Sequence, residues 1–590
     1  MKTETSTLAQ SLQTSTPRLK KSERGYTADM EGYMIIFLVV CFIVIAFVLG
    51  LRDKYNARKY LLGKLIKNYG NPPARQYKAD DLDHVTGYFK NHPEDAQIDD
   101  ITWNDLGMDG VYKRLNYCLS AAGEEYLYYL LRSPRQEDDF KSFEDQVTFL
   151  QENDEDRRKI QTIFWETGNN SRYSIYDYID YLENISGTGN TRHFVMIALI
   201  LAAIGFCFVN FALGFIALAI LMLVQIVSYF RIKSDITPYL VTYGYVMRVI
   251  KSIDKFSGIR AEVFSEDIRE LNAISKEFSS FRAGSSILLT SAQTNSSGNP
   301  VDLLLDYIRM VTHIDLIKFN QMYKQLMAKR DRLDKILEIT GRIEAEVSVA
   351  CFRASFENGY SIPEFTGDSY VAKDLIHPLI DGAVANTIEA KAGVLLTGSN
   401  ASGKSTFLKT CAINTILAQS IHTVLGTRYA APFYRIYSSM ALKDDISMGE
   451  SYYIVEIKSI KRIVDKSKTP GNKVLCFVDE VLRGTNTVER IAASTQILKS
   501  LAENGVQCFA ATHDIELTAL LKDIYEIYHF EGDVTDNDVK FDYKLKEGPA
   551  TTRNAIMLLK VLGYDENIVE NAQKMADGFL EFGSWEQSTC

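Results

Sequence analysis

The chain has 590 residues, a hydrophobic content of 46%, a charged content of 24% and a formal net charge of −10. This length allows roughly three or four domains. An acidic chain is not the first expectation for a nucleic-acid binder, whose footprint is usually a basic face, although the net charge leaves a local basic patch open. The eight cysteines are scattered and form no CxxC pair. This pattern argues against a disulfide framework and against a zinc site, and it favours reduced thiols.

The chain opens with a polar tail and a candidate membrane helix. Residues 1–32 are rich in Ser and Thr and are predicted to be disordered. Residues 33–51, YMIIFLVVCFIVIAFVLGL, are continuously apolar and long enough to span a bilayer as a helix. A signal peptide is the alternative, but the apolar core is too long for one and no A-x-A-like site follows, so we expect a retained transmembrane anchor.

Residues 52–100 are predicted to be a juxtamembrane segment and a polar linker. The part next to the first span is basic, which favours a cytoplasmic position for it and an outside position for the tail. The tail has basic residues of its own, so this orientation rests mainly on features further along the chain. The basic residues after the span are Arg52, Lys54, Arg58, Lys59, Lys64 and Lys67.

A second apolar run, residues 194–230, contains no charged residue over 37 positions, which is about twice the length of one span. Asn210 lies near its middle, with Gly205 and Gly214 on either side. We therefore predict a transmembrane hairpin at 193–230, made of two short helices joined by a tight turn. A buried pair of core helices is the alternative, but such long uncharged runs are rare in soluble cores.

The segments on either side of the hairpin have helical periodicity. Residues 101–192 and 231–367 place apolar residues at three- and four-residue spacing, which predicts a helical core domain in two parts. Because a hairpin returns the chain to its starting side, both parts would share one compartment. Residues 283–300 are predicted to be a loop. Residues 315–339 form a long amphipathic segment, in which these apolar side chains could share a face: Leu316, Phe319, Leu326, Leu333 and Leu337.

Beyond about Asp368 the pattern changes to short apolar strands separated by helical stretches. Three runs, GVLLTG, KVLCFVDE and VQCFAATH, are predicted to be buried strands that each end in polar residues. The alternation predicts an α/β domain at 368–590 with a largely parallel sheet, whose ligands bind at the carboxyl ends of the strands. The expected fold class is therefore multidomain α and α/β, with transmembrane helices.

The first of these strands leads into a phosphate-binding motif. Residues 398–405, GSNASGKS, match G-x-x-x-x-G-K-[ST] between a strand and a helix. Gly398 and Gly403 permit a tight loop whose N–H groups point at phosphate. Lys404 can reach the outer phosphates, and the Ser405 hydroxyl can ligate Mg²⁺. The motif predicts ATP and Mg²⁺ as cofactors.

Two other strand ends carry candidate catalytic residues. Asp479 and Glu480 end the run VLCFVDE, and His513 ends FAATH. Asp479 suits contact to Mg²⁺, Glu480 could polarise the attacking water, and His513 could sense the γ-phosphate. Two surface acids and a structural histidine are the alternatives. The motif upstream favours the functional interpretation, in which Glu480, His513 and Lys404 are catalytic.

These motifs together resemble the MutS family. TGSNASGKSTFLKT resembles its phosphate loop, TGPNxGGKST, VDEVLRGTNT resembles DEIGRGTST, and ATHDIEL resembles ATHYFEL. Residues 444–457, DDISMGESYYIVEI, resemble the signature segment DDxxxGxSTFxxEM. Other segments within 101–185 and 235–577 resemble the rest of the family's core, levers and C-terminal part. The resemblance implies a MutS-like helical core and lever domain and a P-loop ABC-type ATPase domain.

The resemblance also implies roles for further residues. Asn400 matches the family's loop asparagine, and Thr406 follows the motif as another nucleotide-binding residue. Gly449 and Ser451 match the segment that reaches across a dimer to the partner's γ-phosphate. The family sandwiches ATP between two subunits, so a homodimer is implied. His529 matches a position near the adenine, although an ordinary strand histidine fits nearly as well.

The chain departs from the family pattern at three places. Ser451, Tyr452 and Tyr453 stand where the family has Ser-Thr-Phe. The aromatic residue that stacks on adenine is replaced around Ala383, which leaves the base selectivity open. No counterpart of the family's mismatch-reading domain is expected before residue 101.

Three functions are compared on these grounds. The first is a multi-pass MutS-like ATPase of the cell membrane, with about three spans and its ATPase domain in the cytoplasm. It would hydrolyse ATP at a dimer interface and bind DNA in a role related to mismatch repair or DNA structure sensing. The second is a mechanochemical membrane ATPase that acts on protein or lipid partners without DNA. The third, an ABC transporter, is disfavoured because three spans are few for one and residues 444–457 lack LSGGQ.

Overall fold

The computed structural model describes residues 41, 45, 48–53, 55–78, 81–168, 174, 176, 189–259, 261–279, 300–356, 359–398, 402–440, 452–471, 473–483, 485–535, 538–550 and 555–582. The chain divides into two compact units, Met1–Lys67 and Asn68–Cys590. In the first unit, residues 48–53 and 55–67 are helical. Most of the expected first span lies outside the described residues, as does nearly all of the expected loop at 283–300, so both stay predictions.

Helices make up the part of the second unit that precedes residue 368. Buried apolar side chains from them form one continuous core with the helix that follows the phosphate loop. Their bounds are α1 (Gly87–Asn91), α2 (Asp100–Leu106), α3 (Met108–Leu115), α4 (Ala121–Arg132), α5 (Lys141–Glu152), α6 (Asp154–Thr167), α7 (Thr191–Cys207), α8 (Phe211–Phe256), α9 (Ser265–Glu277), α10 (Pro300–Thr312), α11 (Ile314–Met327) and α12 (Arg330–Ala354).

Helix α12 lies at the centre of this helical part. Its packing against α4 is close, because a Cβ at Gly341 would lie 2.7 Å from the Ala122 carbonyl oxygen. The Glu344 carboxylate on α12 accepts hydrogen bonds from the N–H groups of Leu119 (2.5 Å) and Ser120 (3.1 Å) just before α4. These bonds satisfy backbone donors that the start of a helix leaves unpaired.

The expected amphipathic segment at 315–339 is two helices, α11 and α12. The helices separate at Ala328 and Lys329, and the backbone of Lys329 is not helical (φ −129°, ψ 30°). The sequence from 328 to 332, AKRDR, carries no large apolar side chain, so nothing holds a straight helix against the core there. All five expected apolar side chains are nevertheless buried.

Helices α7 and α8 form a hairpin with its turn at Asn210. The Asn210 side chain caps α8 by accepting a hydrogen bond from the N–H of Leu213 at 3.2 Å. Gly214 lets the two helices meet, because a Cβ there would lie 2.6 Å from the Cys207 nitrogen. The sequence suggested two short helices, but the second has 46 residues and continues into the helical core. The reason is that apolar residues keep their helical spacing beyond Arg231, where Tyr243, Val246, Ile250 and Ile253 are buried.

The apolar half of the hairpin is largely exposed. Among the described residues, the stretch Phe211–Ile236 is the one helix long and apolar enough to cross a membrane, and 11% of its most apolar window is buried. Helix α7 is apolar but shorter. The exposed side chains include Phe194, Leu201, Phe208, Phe211, Phe215 and Leu223.

The part after residue 368 contains a six-stranded sheet, so the predicted α/β domain with a mostly parallel sheet is confirmed. Its order is β11-β8-β3-β7-β6-β5, and all pairs are parallel except β11 with β8. The predicted strands β3, β7 and β6 are neighbours, so their carboxyl ends lie along one edge. The strands are β1 (Tyr370–Leu375), β2 (Asn386–Ala390), β3 (Gly393–Thr397), β4 (Arg428–Ala430), β5 (Arg435–Ser439), β6 (Val474–Asp479), β7 (Gln507–Ala511), β8 (Tyr525–His529), β9 (Gly532–Thr535), β10 (Asp538–Phe541) and β11 (Lys546–Glu547).

Helices and two small sheets complete this part. β2-β1-β4 and β10-β9 form antiparallel sheets of three and two strands. The helices are α13 (Lys404–Ile421), α14 (Tyr452–Ser467), α15 (Thr487–Glu503), α16 (Glu516–Leu521), α17 (Ala555–Val561) and α18 (Glu566–Phe582).

An ion pair between a buried arginine and a half-buried glutamate joins the helical part to the end of α13. Arg353, near the end of α12, donates to both Glu144 carboxylate oxygens, at 2.6 and 2.9 Å. The same guanidinium donates to the His422 carbonyl at 2.9 Å and to the Thr423 hydroxyl at 2.9 Å. Burial raises the pKa of Glu144, but hydrogen bonds from His422 and Arg353 outweigh it and lower the pKa to about 2. Helix α13 therefore runs from the phosphate-binding motif to this joint.

Candidate active site

The loop after β3 has the backbone that its glycines predict. Gly398 has a φ of +140° and Gly403 a φ of +107°, both in the left-handed region that favours glycine. A Cβ at Gly398 would lie 2.3 Å from the Phe530 carbonyl oxygen, so no larger residue fits there. Asn400, in the middle of the loop, lies outside the described residues, and its role stays a prediction.

Lys404 begins α13 and turns back over the loop. Its Nζ donates to the Gly398 carbonyl at 2.6 Å, and the residue is 5% exposed. Burial lowers the pKa of Lys404 to about 8, against the opposing effect of Asp479 and Glu480. An anion in the loop would favour the charged ammonium. Ser405 and Thr406 follow in the first turn and are exposed, so their hydroxyls face solvent where a helix leaves its first N–H groups without intrahelical acceptors.

The two predicted acidic residues occupy different positions after β6. Asp479 is the last strand residue, is buried, and lies opposite Ala511 in the register with β7. Glu480 follows with a φ of +60°, and its N–H donates to the Ala511 carbonyl at 2.9 Å. Leu482 also has a positive φ, +63°. Two non-glycine residues in this conformation cost free energy, so the surrounding contacts must hold the turn in place.

Glu480 forms an ion pair on each carboxylate oxygen. Its Oε1 pairs with Nε2 of His513, and its Oε2 pairs with Nε of Arg483. Burial raises the pKa of Glu480, but His513, Arg483 and Lys404 together lower it below its usual range. The other ring nitrogen of His513, Nδ1, lies 3.3 Å from the Gly398 carbonyl oxygen. The predicted residues Lys404 and His513 therefore both contact that carbonyl, and Glu480 is linked to it through His513.

Two residues of this arrangement were not predicted as site residues. Arg483 balances the charge of Glu480, as described above. Glu456, on α14, accepts hydrogen bonds through Oε1 from the N–H groups of Leu482 (2.6 Å) and Arg483 (3.3 Å). Glu456 therefore stabilises the strained turn by accepting hydrogen bonds from two of its backbone N–H groups. Its place in the quoted signature segment was the only signal in the sequence.

The described residues fit ATP with Mg²⁺. The Ser402 hydroxyl inside the loop is buried with no hydrogen-bond partner among the described residues, and a phosphate oxygen is an acceptor for such a donor. Mg²⁺ in nucleotide sites takes one or two protein oxygens together with phosphate oxygens. Ser405, in the first turn of α13, and Asp479, at the end of β6, are oxygen donors of that kind.

A cavity of about 440 Å³ opens beside the loop, a size in the range of small-molecule sites. Ala383, near which the resemblance predicts the loss of an adenine-stacking aromatic, lines it, and so does the aromatic ring of Tyr543. A Cβ at Gly403 would lie 3.1 Å from Tyr543 Cδ1, so this ring covers the loop closely. Other lining residues include His377, Ile380, Thr406, Phe407, Thr410 and Phe530.

His529 ends β8 next to the loop. It lies opposite Thr397 in the register, and its Nδ1 is 2.9 Å from the Gly548 carbonyl oxygen. The following residue, Phe530, lines the cavity. Gly449 and Ser451 lie outside the described residues, and α14 begins at the next position, Tyr452. The nucleotide roles of these three residues stay predictions.

Comparison with known proteins connects this site to one family. Residues 394–580 match the family model MutS domain V. The chain is similar to proteins named DNA mismatch repair protein MutS from Thermosipho melanesiensis (29% identity over 271 residues, 44% of this chain and 32% of the relative) and Thermotoga maritima (29% over 269 residues, 44% and 33%). It is similar to the protein of the same name from Thermus thermophilus at 29% over 259 residues, 42% and 31%. The matched region spans about a third of these relatives.

Proposed function

We propose, on the premise that the C-terminal region of this chain belongs to the MutS family, that the protein is an ATPase that binds and hydrolyses Mg²⁺-ATP in the site described above. The observation that carries this proposal is the chain of contacts in which Lys404 and His513 both reach the Gly398 carbonyl and His513 also pairs with Glu480. The histidine thus connects the phosphate-binding loop to an ionised carboxylate.

Each residue has a definite task in this proposal. When bound, Mg²⁺ would neutralise phosphate charge and the γ-phosphate would be the group transferred to water. The loop N–H groups and Lys404 hold the phosphates, while Ser405 and Asp479 supply oxygens for the metal. Glu480 accepts a proton from the attacking water. Its lowered pKa keeps it ionised at neutral pH, and His513 fixes its orientation.

We further propose that two copies of the chain share the nucleotide. The resemblance assigns Gly449 and Ser451 to a segment that completes the partner's site. A test is the variant Glu480→Gln, which should keep ATP binding, lose turnover by more than about 100-fold and accumulate as an ATP-dependent dimer in size-exclusion chromatography. Glu503→Gln, an exposed residue at the end of α15, is the matched control. Undiminished turnover in Glu480→Gln would remove Glu480 from its role.

We propose that residues 33–51 and the hairpin hold the protein in the cell membrane, with the ATPase domain in the cytoplasm. The exposed apolar surface of the hairpin supports this, since soluble surfaces rarely carry so large a continuous apolar patch. Carbonate extraction and vesicle flotation test it. The full chain and a variant with residues 33–51 removed should both stay with neutral vesicles. A variant with residues 194–230 also replaced by a soluble linker should stay in the supernatant.

DNA is the partner that the names of the relatives suggest, and we propose DNA binding by the helical core. Binding to duplex and branched DNA should weaken steeply as salt rises if phosphate contacts carry it. The apolar hairpin favours a second candidate, a mechanochemical ATPase that acts on membrane partners without DNA. ATP turnover stimulated by DNA supports the first function. Turnover stimulated by vesicles, with no DNA binding at low salt, supports the second.

A further inference from the structure

We propose that a groove at the base of the hairpin binds one anionic phospholipid of the phosphatidylglycerol type. This inference rests on the proposed membrane insertion of the hairpin. The groove has a volume of about 470 Å³. It is lined by Arg192 at the start of α7 and by one face of α8: Leu223, Val224, Val227, Ser228, Arg231, Ile232 and Asp235.

The lining of the groove changes from apolar to polar and charged along α8. Its first part is apolar and open, since Leu223 is 65% and Val227 62% exposed. Its second part begins at Ser228 and carries Arg231 and Asp235, with Arg192 contributed by α7. The change falls where the uncharged run ends, at residue 230. A membrane-inserted hairpin would place this level at the lipid headgroups, where arginine side chains reach the interface.

The occupant follows from this order of surfaces. An acyl chain covers the apolar part, which is continuous with the exposed apolar surface of the hairpin. The phosphodiester then lies at the two guanidinium groups, which suit phosphate oxygens because each presents several N–H donors in a fixed plane. Asp235 would repel a headgroup with further negative charge. A glycerol headgroup offers hydroxyls that can donate to Asp235. The two arginines and Asp235 give the groove a net charge of +1, which the single negative charge of phosphatidylglycerol balances and a zwitterionic lipid does not.

The experiment measures which lipids stay with the protein. The full chain is reconstituted in nanodiscs of phosphatidylcholine containing phosphatidylglycerol, re-extracted in mild detergent, washed, and its lipids are quantified by mass spectrometry. We expect phosphatidylglycerol to be enriched over phosphatidylcholine. Arg192→Gln and Arg231→Gln should each reduce the enrichment roughly fivefold. Val227→Trp should also reduce it, because the indole would fill the acyl part without changing charge.

Lys233→Gln is the matched control. It removes one positive charge close to Arg231 on the same helix, but Lys233 does not line the groove; its Nζ donates to the Tyr229 hydroxyl at 2.8 Å. Enrichment should be unchanged in this variant. Equal loss in Lys233→Gln and Arg231→Gln would overturn the proposal in favour of general charge attraction. Full displacement of the lipid by millimolar inorganic phosphate, or no enrichment at all, would overturn it too.

Failure of the underlying proposal gives a different result. If the hairpin does not insert, a chain that lacks residues 33–51 is absent from the phosphatidylcholine nanodiscs before any lipid is counted. If it inserts and dimerises through this face, crosslinking at position 227 joins two chains and no lipid is enriched. That outcome would assign the groove to a second copy and overturn the lipid site.

Discussion

Glu480 and His513 form an ion pair that spans two neighbouring strand ends, and His513 places its second nitrogen 3.3 Å from the carbonyl oxygen of Gly398 in the phosphate loop. The histidine therefore touches both the proposed base and the loop that would hold the phosphates. A shift of the loop would therefore move the imidazole ring of His513 and change its ion pair with Glu480.

Replacing His513 tests this relationship. His513→Ala should lower kcat about 100-fold, because Glu480 loses the partner that orients it. His513 also lowers the pKa of Glu480, so its removal should raise that pKa and move the acidic limb of the kcat–pH profile to higher pH. ATPase assays across pH check both effects, with fluorescent-nucleotide binding as the control for folding. An unmoved acidic limb would show that His513 does not act on Glu480.

Glu456 should affect catalysis by holding the turn after β6 in place. In Glu456→Ala the N–H groups of Leu482 and Arg483 lose their acceptor, and the strained turn loosens. We expect kcat to fall roughly tenfold, as for the loss of about 1–2 kcal/mol of hydrogen bonding, with little change in KM. Glu456→Gln keeps an acceptor oxygen and should recover most of the rate. An equal loss in both variants, or a change in KM alone, would argue against a positioning role.

The joint between Arg353 and Glu144 should dominate stability at the end of α13. Arg353→Met leaves the half-buried Glu144 with His422 as its partner and removes the donor to the His422 carbonyl and the Thr423 hydroxyl, which should cost about 1–3 kcal/mol of unfolding free energy. The pKa of Glu144 is lowered to about 2 in the folded protein. Its stabilising effect is therefore complete above its ordinary pKa of about 4.5 and is lost as pH falls towards 2. Thermal unfolding of wild type and Arg353→Met should converge over that range.

Glu344 should make the free energy of unfolding depend on pH in the opposite direction to Glu144. Burial raises its pKa to about 8, in spite of hydrogen bonds from Ser120 and Leu119. The folded protein then binds a proton that the unfolded chain releases near pH ~4.5, so this residue should lower the unfolding free energy as pH rises from about 5 to 8. Glu344→Gln keeps the acceptor oxygen and should flatten that slope. Parallel slopes in wild type and variant would contradict the raised pKa.

The parts of the site that the sequence predicts are those encoded in short local patterns. Lys404, Asp479, Glu480 and His513 each follow an apolar run that had to be a strand, and parallel strands bring their carboxyl ends to one edge. Glu456 could not be placed in the same way, since its contact with the turn at 482 crosses 26 positions and depends on how α14 packs on the sheet.

The same distinction applies to the rest of the fold. Asn210 and the glycines around it predict the hairpin turn because capping and close approach are local. The 46 residues of α8 were not predicted, because the change from an apolar to a mixed pattern near Arg231 and the proline at 238 suggest an end, whereas the helix continues past both. Tyr543 lines the cavity beside the loop although it follows β10, and no spacing in the sequence connects the two.

The length of α8 has a mechanical consequence. At about 1.5 Å per residue, its 46 residues measure about 69 Å, and the described backbone is helical from the apolar turn at Phe211 to Phe256 in the core. Pro238 lies inside this helix and has no N–H to donate, so one backbone hydrogen bond is missing there and the helix bends most easily at that level. If the bilayer holds the part before Pro238, a rotation of the helical core has to tilt that part in the lipid, bend the helix at Pro238, or do both. Bilayer thickness and stiffness would then resist or assist that rotation.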